Sequence, residues 1–294
     1  MQYIGEGNKV TKVLSMVDIS RSTFYYRAVT GRKGRKPEKY VMHRRGQLFS
    51  EQAVIEEIKH LLSQEFVNYG YIKVSMYLKD KGYIINKKRV YRIMKENRLL
   101  LNKRIRGSRK REFVKERRMR AERPFEKLQM DIKYVYVRGE RRNVYLLSLM
   151  DIFSRKVLGY RVSGSMRKEV VINLVDEVIL NTAVPREVTI RTDNGSQFIA
   201  HKLRDYLKGI EIRQEFIHVS SPRENGYIES LHSILEEEAI KKFEFQRLDH
   251  LRDILEKYFR FYNEERIHSG IGYRSPERFL REYQNGKENL AKYG

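Results

Sequence analysis

Apolar residues in EQAVIEEIKHLLSQE recur at helical spacing, with Val54, Ile55, Ile58, Leu61 and Leu62 on one face, which predicts a core-facing helix. YIKVSMYLKDKG reads as a second helix stopped by Gly82, YII as a brief extended piece, and NKKRVYRIMKENRLL as a third helix capped by Asn86. That third helix carries an apolar stripe of Val90, Ile93 and Met94 among basic positions. Nearer the N-terminus, VTKVLSMVDISRSTFYYR predicts a short amphipathic helix, a turn around Asp18 and a second helix opened by Ser20 or Ser22. This is helix-turn-helix grammar, although any two-helix corner fits the pattern equally well. GRKGRKPEKYVMHRRG has no periodic apolar pattern and reads as a basic linker.

After Pro124 the period changes. DIKYVYVRGERRNVYLLSLMDIFSRKVLGYRVS holds three strand-like runs joined at Arg138 to Arg142 and at Asp151 to Arg155, an antiparallel meander. RKEVVINLVDEVILNTA is then a helix, VTIRTD a fourth strand, SQFIAHKLRDYLKG a helix ended by Gly209, and IEIRQEF a fifth strand. HVSSPRENGY is a polar loop, and IESLHSILEEEAIKK returns to helix. Three strands followed by helix, strand, helix, strand, helix make a mixed α/β layer architecture, the element order of the ribonuclease-H-like fold. The expected organisation is a helix-turn-helix over residues 1–30, a basic linker over 31–50 and a second helix-turn-helix or winged-helix-like region over 51–101. A second basic linker over 102–124, the α/β core over 125–242 and a C-terminal helical region over 243–294 complete it.

Charge sharpens this division. The 294-residue chain has a formal net charge of +23, which points to a polyanionic partner. Residues 1 to 124 hold 32 Lys/Arg against 12 Asp/Glu, while the rest holds 29 against 26, so binding and something else are assigned to different halves. Candidate DNA contacts are Arg21 and Ser22 on the first unit, and Lys87, Lys88, Arg89, Arg92 and Lys95 on the basic third helix. Arg104, Arg106 and Arg109 in the second linker would bind phosphate without reading sequence. The chain has no cysteine, which removes disulfides and thiolate metal sites, and no run approaches the ~18 apolar residues of a membrane span.

Three acids then stand out: Asp131 in QMDIKYVYV, Asp193 in RTDNGSQF and Glu229 in SPRENGYIES, the last two separated by 35 residues. Singly they read as a strand-edge Asp, an ordinary Asp-Asn-Gly turn and a helix-flank Glu. Together they gain meaning, because adjacency of the first and fourth strands would unite Asp131 with Asp193 while the following helix packs over that edge. Clustered carboxylates repel unless cations neutralise them, which implies hard ions such as Mg2+ or Mn2+, two of them for in-line phosphodiester chemistry. Asn194 and Asn225 are candidates for orienting substrate. Asp151 and Arg155 read as a structural pair, and His218, His232 and His268 as polar groups without ligand spacing.

These motifs, with the closing YNEERIHSGIGYRSPERF, resemble the DDE transposases of bacterial insertion sequences that carry a retroviral-integrase-like catalytic core. The resemblance implies that Asp131, Asp193 and Glu229 are the catalytic metal ligands of a ribonuclease-H-like core. The implied activity is binding of the element's terminal inverted repeats, strand cleavage by water and attack of the freed 3'-hydroxyl on a second phosphodiester. It further implies double-stranded DNA as partner, a homo-oligomer on that DNA, an upstream reading-frame protein in some cases, no membrane, and a cytoplasmic, nucleoid-associated setting. Two positions depart from the pattern: Glu236 stands where members carry Lys or Arg seven residues after the glutamate, and Leu128 where many carry Trp. A non-catalytic DNA-binding repressor or inactive element remnant explains the charge asymmetry equally well but not three acids in order. A nuclease without strand transfer is a third reading.

Overall fold

The computed structural model describes residues 7, 9–17, 19–25, 39–101, 119–182, 187–218 and 222–286. It divides at Lys39 into two compact units. The first holds α1 (Val10–Met16) and α2 (Arg21–Phe24); of the two candidate caps it is Ser20 whose hydroxyl accepts the Thr23 amide, at 3.1 Å. The expected turn residue Asp18, residues 26–30 at the end of the first region and linker residues 31–38 lie outside the described residues, as do 102–118 with Arg104, Arg106 and Arg109.

The second unit opens where the sequence predicts a linker. Tyr40–His43 (β1) and Leu48–Ser50 (β2) form an antiparallel ribbon, and Tyr83–Ile84 (β3) joins β1 on its other edge. Strands of three and four residues are too short to show a period, and their partner lies some forty residues away. The expectation of an unstructured strap therefore fails from Tyr40 onward. Between the strands lie α3 (Glu51–Leu62) and α4 (Tyr71–Asp80), and α5 (Lys87–Glu96) follows β3. Ser50 caps α3 and Asn86 caps α5, each accepting the backbone amide three residues on. Gly82 has φ 98, and a Cβ there would lie 2.3 Å from the His43 ring, so both conformation and space require glycine.

The sheet of the α/β core has the order β6-β5-β4-β7-β8. Lys127–Val137 (β4), Arg142–Asp151 (β5) and Val157–Ser163 (β6) make the predicted meander, and Val188–Thr192 (β7) and Ile212–Phe216 (β8) extend it in parallel. Alternation sorts the side chains between two faces. On one face Leu128, Met130, Leu147 and Leu149 pack against α6 (Lys168–Asn181) and the helices between β7 and β8. The predicted single helix there is two, α7 (Ser196–Ile199) and α8 (His201–Gly209), because Ala200 turns extended, with ψ 128.

The opposite face carries Val135, Val137, Val144 and Leu146. It is covered by α9 (Gly226–Glu238), which buries Ile228, Leu231 and Leu235, and by α10 (Leu248–Glu264). Each of these apolar side chains contributes about 1.5–3 kcal/mol when fully withdrawn from water. After α10 come a short 3-10 turn and α11 (Pro276–Gln284), which Ser275 caps. The same apolar cluster continues without a break into Val54, Ile58, Leu78 and Ile93 of the helical region, so α3 to α5, this face of the sheet, α9 and α10 share one core.

Candidate active site

Register does what the sequence asks of it. β4 and β7 run parallel with Gln129 opposite Arg191, so Asp131 and Asp193, each two residues further on, emerge on the same face at the same level. Asp131 lies inside β4 rather than at its start, facing Ser148 of β5, and its Oδ1 accepts the Ile132 amide at 2.8 Å. Asp193 follows the last residue of β7, and its Oδ1 accepts the Gly195 amide at 2.9 Å. Glu229 is exposed in the first turn of α9, beside buried Ile228, further from the core than a half-buried flank.

Electrostatics ties the three together. Burial pushes the Asp193 carboxyl above the usual carboxylate range, and the Asp131 charge adds to the rise while the Gly195 hydrogen bond opposes it. Glu229 is raised for the same two reasons, burial and Asp131, against a lowering by His232. Both acids therefore respond to Asp131 as a near neighbour of like charge. Among the described residues no group of three or more His, Cys, Asp or Glu side chains gathers closely enough to hold a metal ion. The donor chemistry nevertheless suits a hard cation, because all three acids offer oxygen donors.

A polar seam runs along β4 and α9. Gln129 Oε1 accepts the Ile228 amide at 3.0 Å, His232 Nδ1 lies 3.4 Å from Asp131 Oδ2, and Lys133 Nζ lies 2.9 Å from Glu236 Oε2. Steps of two along a strand, about 6.6 Å, and of four along a helix, about 6 Å, keep pace, so the contacts recur in register. His232, which the sequence offers only as a helix polar group, thus sits within the site; its place three residues after Glu229 is the one signal that points there. Glu236, the acidic departure, is answered by Lys133 from the strand.

The other candidates divide. Asn194 donates to the Ile217 carbonyl at 2.9 Å and so ties the end of β7 to the end of β8. Asn225 is buried just before α9, with its Oδ1 lacking a hydrogen-bond partner. Asp151 and Arg155 are not partners of one another as expected: fully buried Asp151 accepts Ser154 Oγ at 2.5 Å and the amides of Phe125, Phe153 and Ser154, while Arg155 stacks 3.7 Å over the Tyr227 ring. Burial raises the Asp151 carboxyl although all four hydrogen bonds lower it. On α5, Lys87, Lys88 and Lys95 are exposed, whereas Arg89 and Arg92 reach Glu51 of α3 at 3.2 and 2.6 Å. Arg21 and Ser22 are exposed at the start of α2. His218 pairs with Glu224 at 2.8 Å.

The closing motif also acquires a job. Buried Arg266 holds Glu238, at the end of α9, through two hydrogen bonds of 2.7 and 2.8 Å, and Tyr258 donates to the same carboxylate at 3.1 Å. Burial would lower the Arg266 guanidinium, but the Glu238 carboxylate overrides it and the net shift is upward. His268, against Arg266, is pushed well below its ordinary value by burial and by that charge. Asn263 brackets Val157 of β6, accepting its amide and donating to its carbonyl, both at 2.9 Å.

Residues 121–222 and 210–276 match two family models, each described as an integrase core domain, and residues 50–109 match an HTH-like domain. The chain is 28% identical over 268 residues to the putative transposase InsK for insertion sequence element IS150 of Escherichia coli (strain K12), spanning 87% of this chain and 88% of that protein. It is 25% identical to the transposase for insertion sequence element IS904 of Lactococcus lactis subsp. lactis (strain IL1403), over 81% of this chain and 98% of the relative. Among solved structures, a chain of the simian T-cell lymphotropic virus intasome in complex with PP2A regulatory subunit B56 gamma superposes with a TM-score of 0.50. Its sequence identity is 16%, over 76% of this chain and 73% of that one. At that identity the likeness concerns the fold, which is ribonuclease-H-like.

Proposed function

Because the chain belongs with the insertion-sequence transposases that carry an integrase-like core, we propose that it binds the terminal inverted repeats of its element and catalyses strand cleavage and strand transfer. Asp131, Asp193 and Glu229 are the catalytic acids in this reading, and Mg2+ or Mn2+, two ions in the assembled complex, is the cofactor. The observation that carries it is the parallel β4–β7 register, which puts Asp131 and Asp193 side by side on the face that α9 covers with Glu229.

The chemistry follows from charge. When bound, the ions supply activation of the attacking oxygen and stabilisation of the leaving one. Asp131, Asp193 and Glu229 are the residues that would hold those charges beside the scissile phosphodiester. His232, against Asp131, keeps that carboxylate turned into the seam. Exposed Lys87, Lys88 and Lys95 on α5, with Arg21 and Ser22 on α2, are the proposed DNA contacts, and Arg89 and Arg92 contribute by holding α5 against α3. The basic segment carrying Arg104, Arg106 and Arg109 adds phosphate affinity. A homo-oligomer on DNA is the expected working form.

The test is strand cleavage and transfer on labelled element-end DNA with Mg2+, comparing the full chain with Asp193→Asn. Wild-type activity in that variant rejects the assignment. Cleavage without joining would leave a nuclease, and DNA binding without either step would leave a repressor.

A further inference from the structure

Helix α9 begins with backbone amides that have no partner inside the helix, as every α-helix does. Its N-cap residue, Asn225, makes no side-chain capping bond. The amide of Ile228, third residue of the helix, is taken instead by Gln129 Oε1 at 3.0 Å, across 99 residues of sequence. Gln129 is fully buried within β4, and its other end is committed too: Nε2 donates to the Glu224 carbonyl at 3.1 Å. Arg191, its register partner on β7, donates Nη1 to the same carbonyl at 3.1 Å and is itself held through Nη2 by Glu215 at 3.0 Å.

One amide thus closes both sides of the turn that launches α9, the carbonyl before it and the amide after it. The two clamping residues stand two positions ahead of Asp131, within β4, and of Asp193, just past the end of β7, on the same face. The strands that carry two of the acids therefore also fix the backbone that carries the third. We propose that Gln129, supported by Arg191, is the positioning residue for Glu229. This rests on Glu229 being a catalytic acid. Only a side chain with one donor and one acceptor in a planar group meets both demands: leucine offers neither, and an ionised glutamate meets the Glu224 carbonyl with a second acceptor.

The test uses the full chain with element-end DNA and Mg2+. Gln129→Leu is expected to lower kcat about 10–100-fold while KM for the DNA stays within about twofold, because the DNA-binding surfaces are untouched and only the acid is misplaced. In the metal-free protein the same variant should speed amide hydrogen exchange at Ile228 and Glu229 on the order of tenfold, against unchanged exchange in the middle of β4. Gln129→Glu adds a readout that a packing role would not move. Its activity relative to wild type should rise as the pH falls, since the protonated acid donates to Glu224 as the amide does. Wild-type kcat in Gln129→Leu, a matched rise in KM, or unaltered exchange at Ile228 each overturns the proposal. If Gln129→Leu fails to fold, parity of Gln129→Glu with wild type across the pH range overturns it. Glu229→Gln separates the two levels: if that variant stays active, the catalytic reading itself fails, whereas an inactive Glu229→Gln beside a fully active Gln129→Leu removes only the positioning role.

Discussion

Helix α9 carries a cluster of charge at each end, and the two are built in opposite ways. At its C-terminal end the Glu238 carboxylate is buried, yet Arg266 and Tyr258 satisfy both of its oxygens. At its N-terminal end Glu229 lies near Asp131 and Asp193, and the Glu229 and Asp193 carboxyls are raised above their ordinary values by burial first and by the Asp131 charge second. The first cluster is complete as it stands and serves cohesion. The second holds three carboxylates with His232 against Asp131 as its neighbouring basic group, so its acids are less fully paired than Glu238. Polar density alone does not distinguish the two; charge balance does.

The largest expected effect tests the less fully paired end. Asp131→Asn or Asp193→Asn should reduce Mg2+-dependent strand cleavage by roughly a thousandfold or more, read on labelled DNA ends, since several kcal/mol of charge stabilisation are lost. A loss under tenfold would break the comparison. At the complete end, Arg266→Met leaves Glu238 buried without its counter-charge, and stability should fall by about 3–5 kcal/mol. Urea unfolding reads this as a lower midpoint with unchanged slope. Glu238→Gln should cost less, because the amide leaves no unpaired negative charge.

Between the ends lies the Lys133–Glu236 pair, and there the expected effect is smaller. Glu236→Lys turns the seam's outer step from neutral to doubly positive, so binding of element ends should tighten and its log–log salt dependence should steepen by about one to two phosphate equivalents. Unaltered salt dependence would place that step away from DNA. Smallest is the effect on stability without metal. Asp193 is held above its ordinary value in the folded state, so its charged form opposes folding, and that cost disappears as the pH falls through the raised value. Asp193→Asn should accordingly melt higher than wild type at neutral pH, by roughly 2 °C, with the gap closing under acid conditions. Adding Mg2+ should raise the wild-type melting temperature and leave the variant's nearly unchanged.

What could be read from sequence depended on how local each signal is. The helices of the second unit announce themselves by spacing and by caps such as Asn86, and the meander follows from three runs of β-branched and aromatic residues after Pro124. β1 and β2 were illegible because strands of three or four residues around Arg44 and Arg45 show no period, and the second partner of β1, β3, lies some forty residues on. The three acids could be named only as a set, from their order along the chain and the element order around them, since each alone reads as ordinary. Gln129 and Arg191 could not, since neither has a local signature and each acts on a turn made of residues distant in sequence. Arg266 could be seen but not explained, because its partner Glu238 lies on another helix.

The continuous core has a consequence for how such a protein changes over generations. Phe66, just after α3, stacks its edge on Tyr258 of α10 at a centroid distance of 5.4 Å, and Tyr69 accepts the Ile267 amide at 3.1 Å. The region bearing the basic helix is therefore not a cassette that recombination could exchange for another reading head, because a newcomer would have to match the aromatic surface of α10 as well. Substitutions at exposed positions such as Lys87, Lys88 and Lys95 leave that shared surface untouched, whereas the residues beneath them stay constrained.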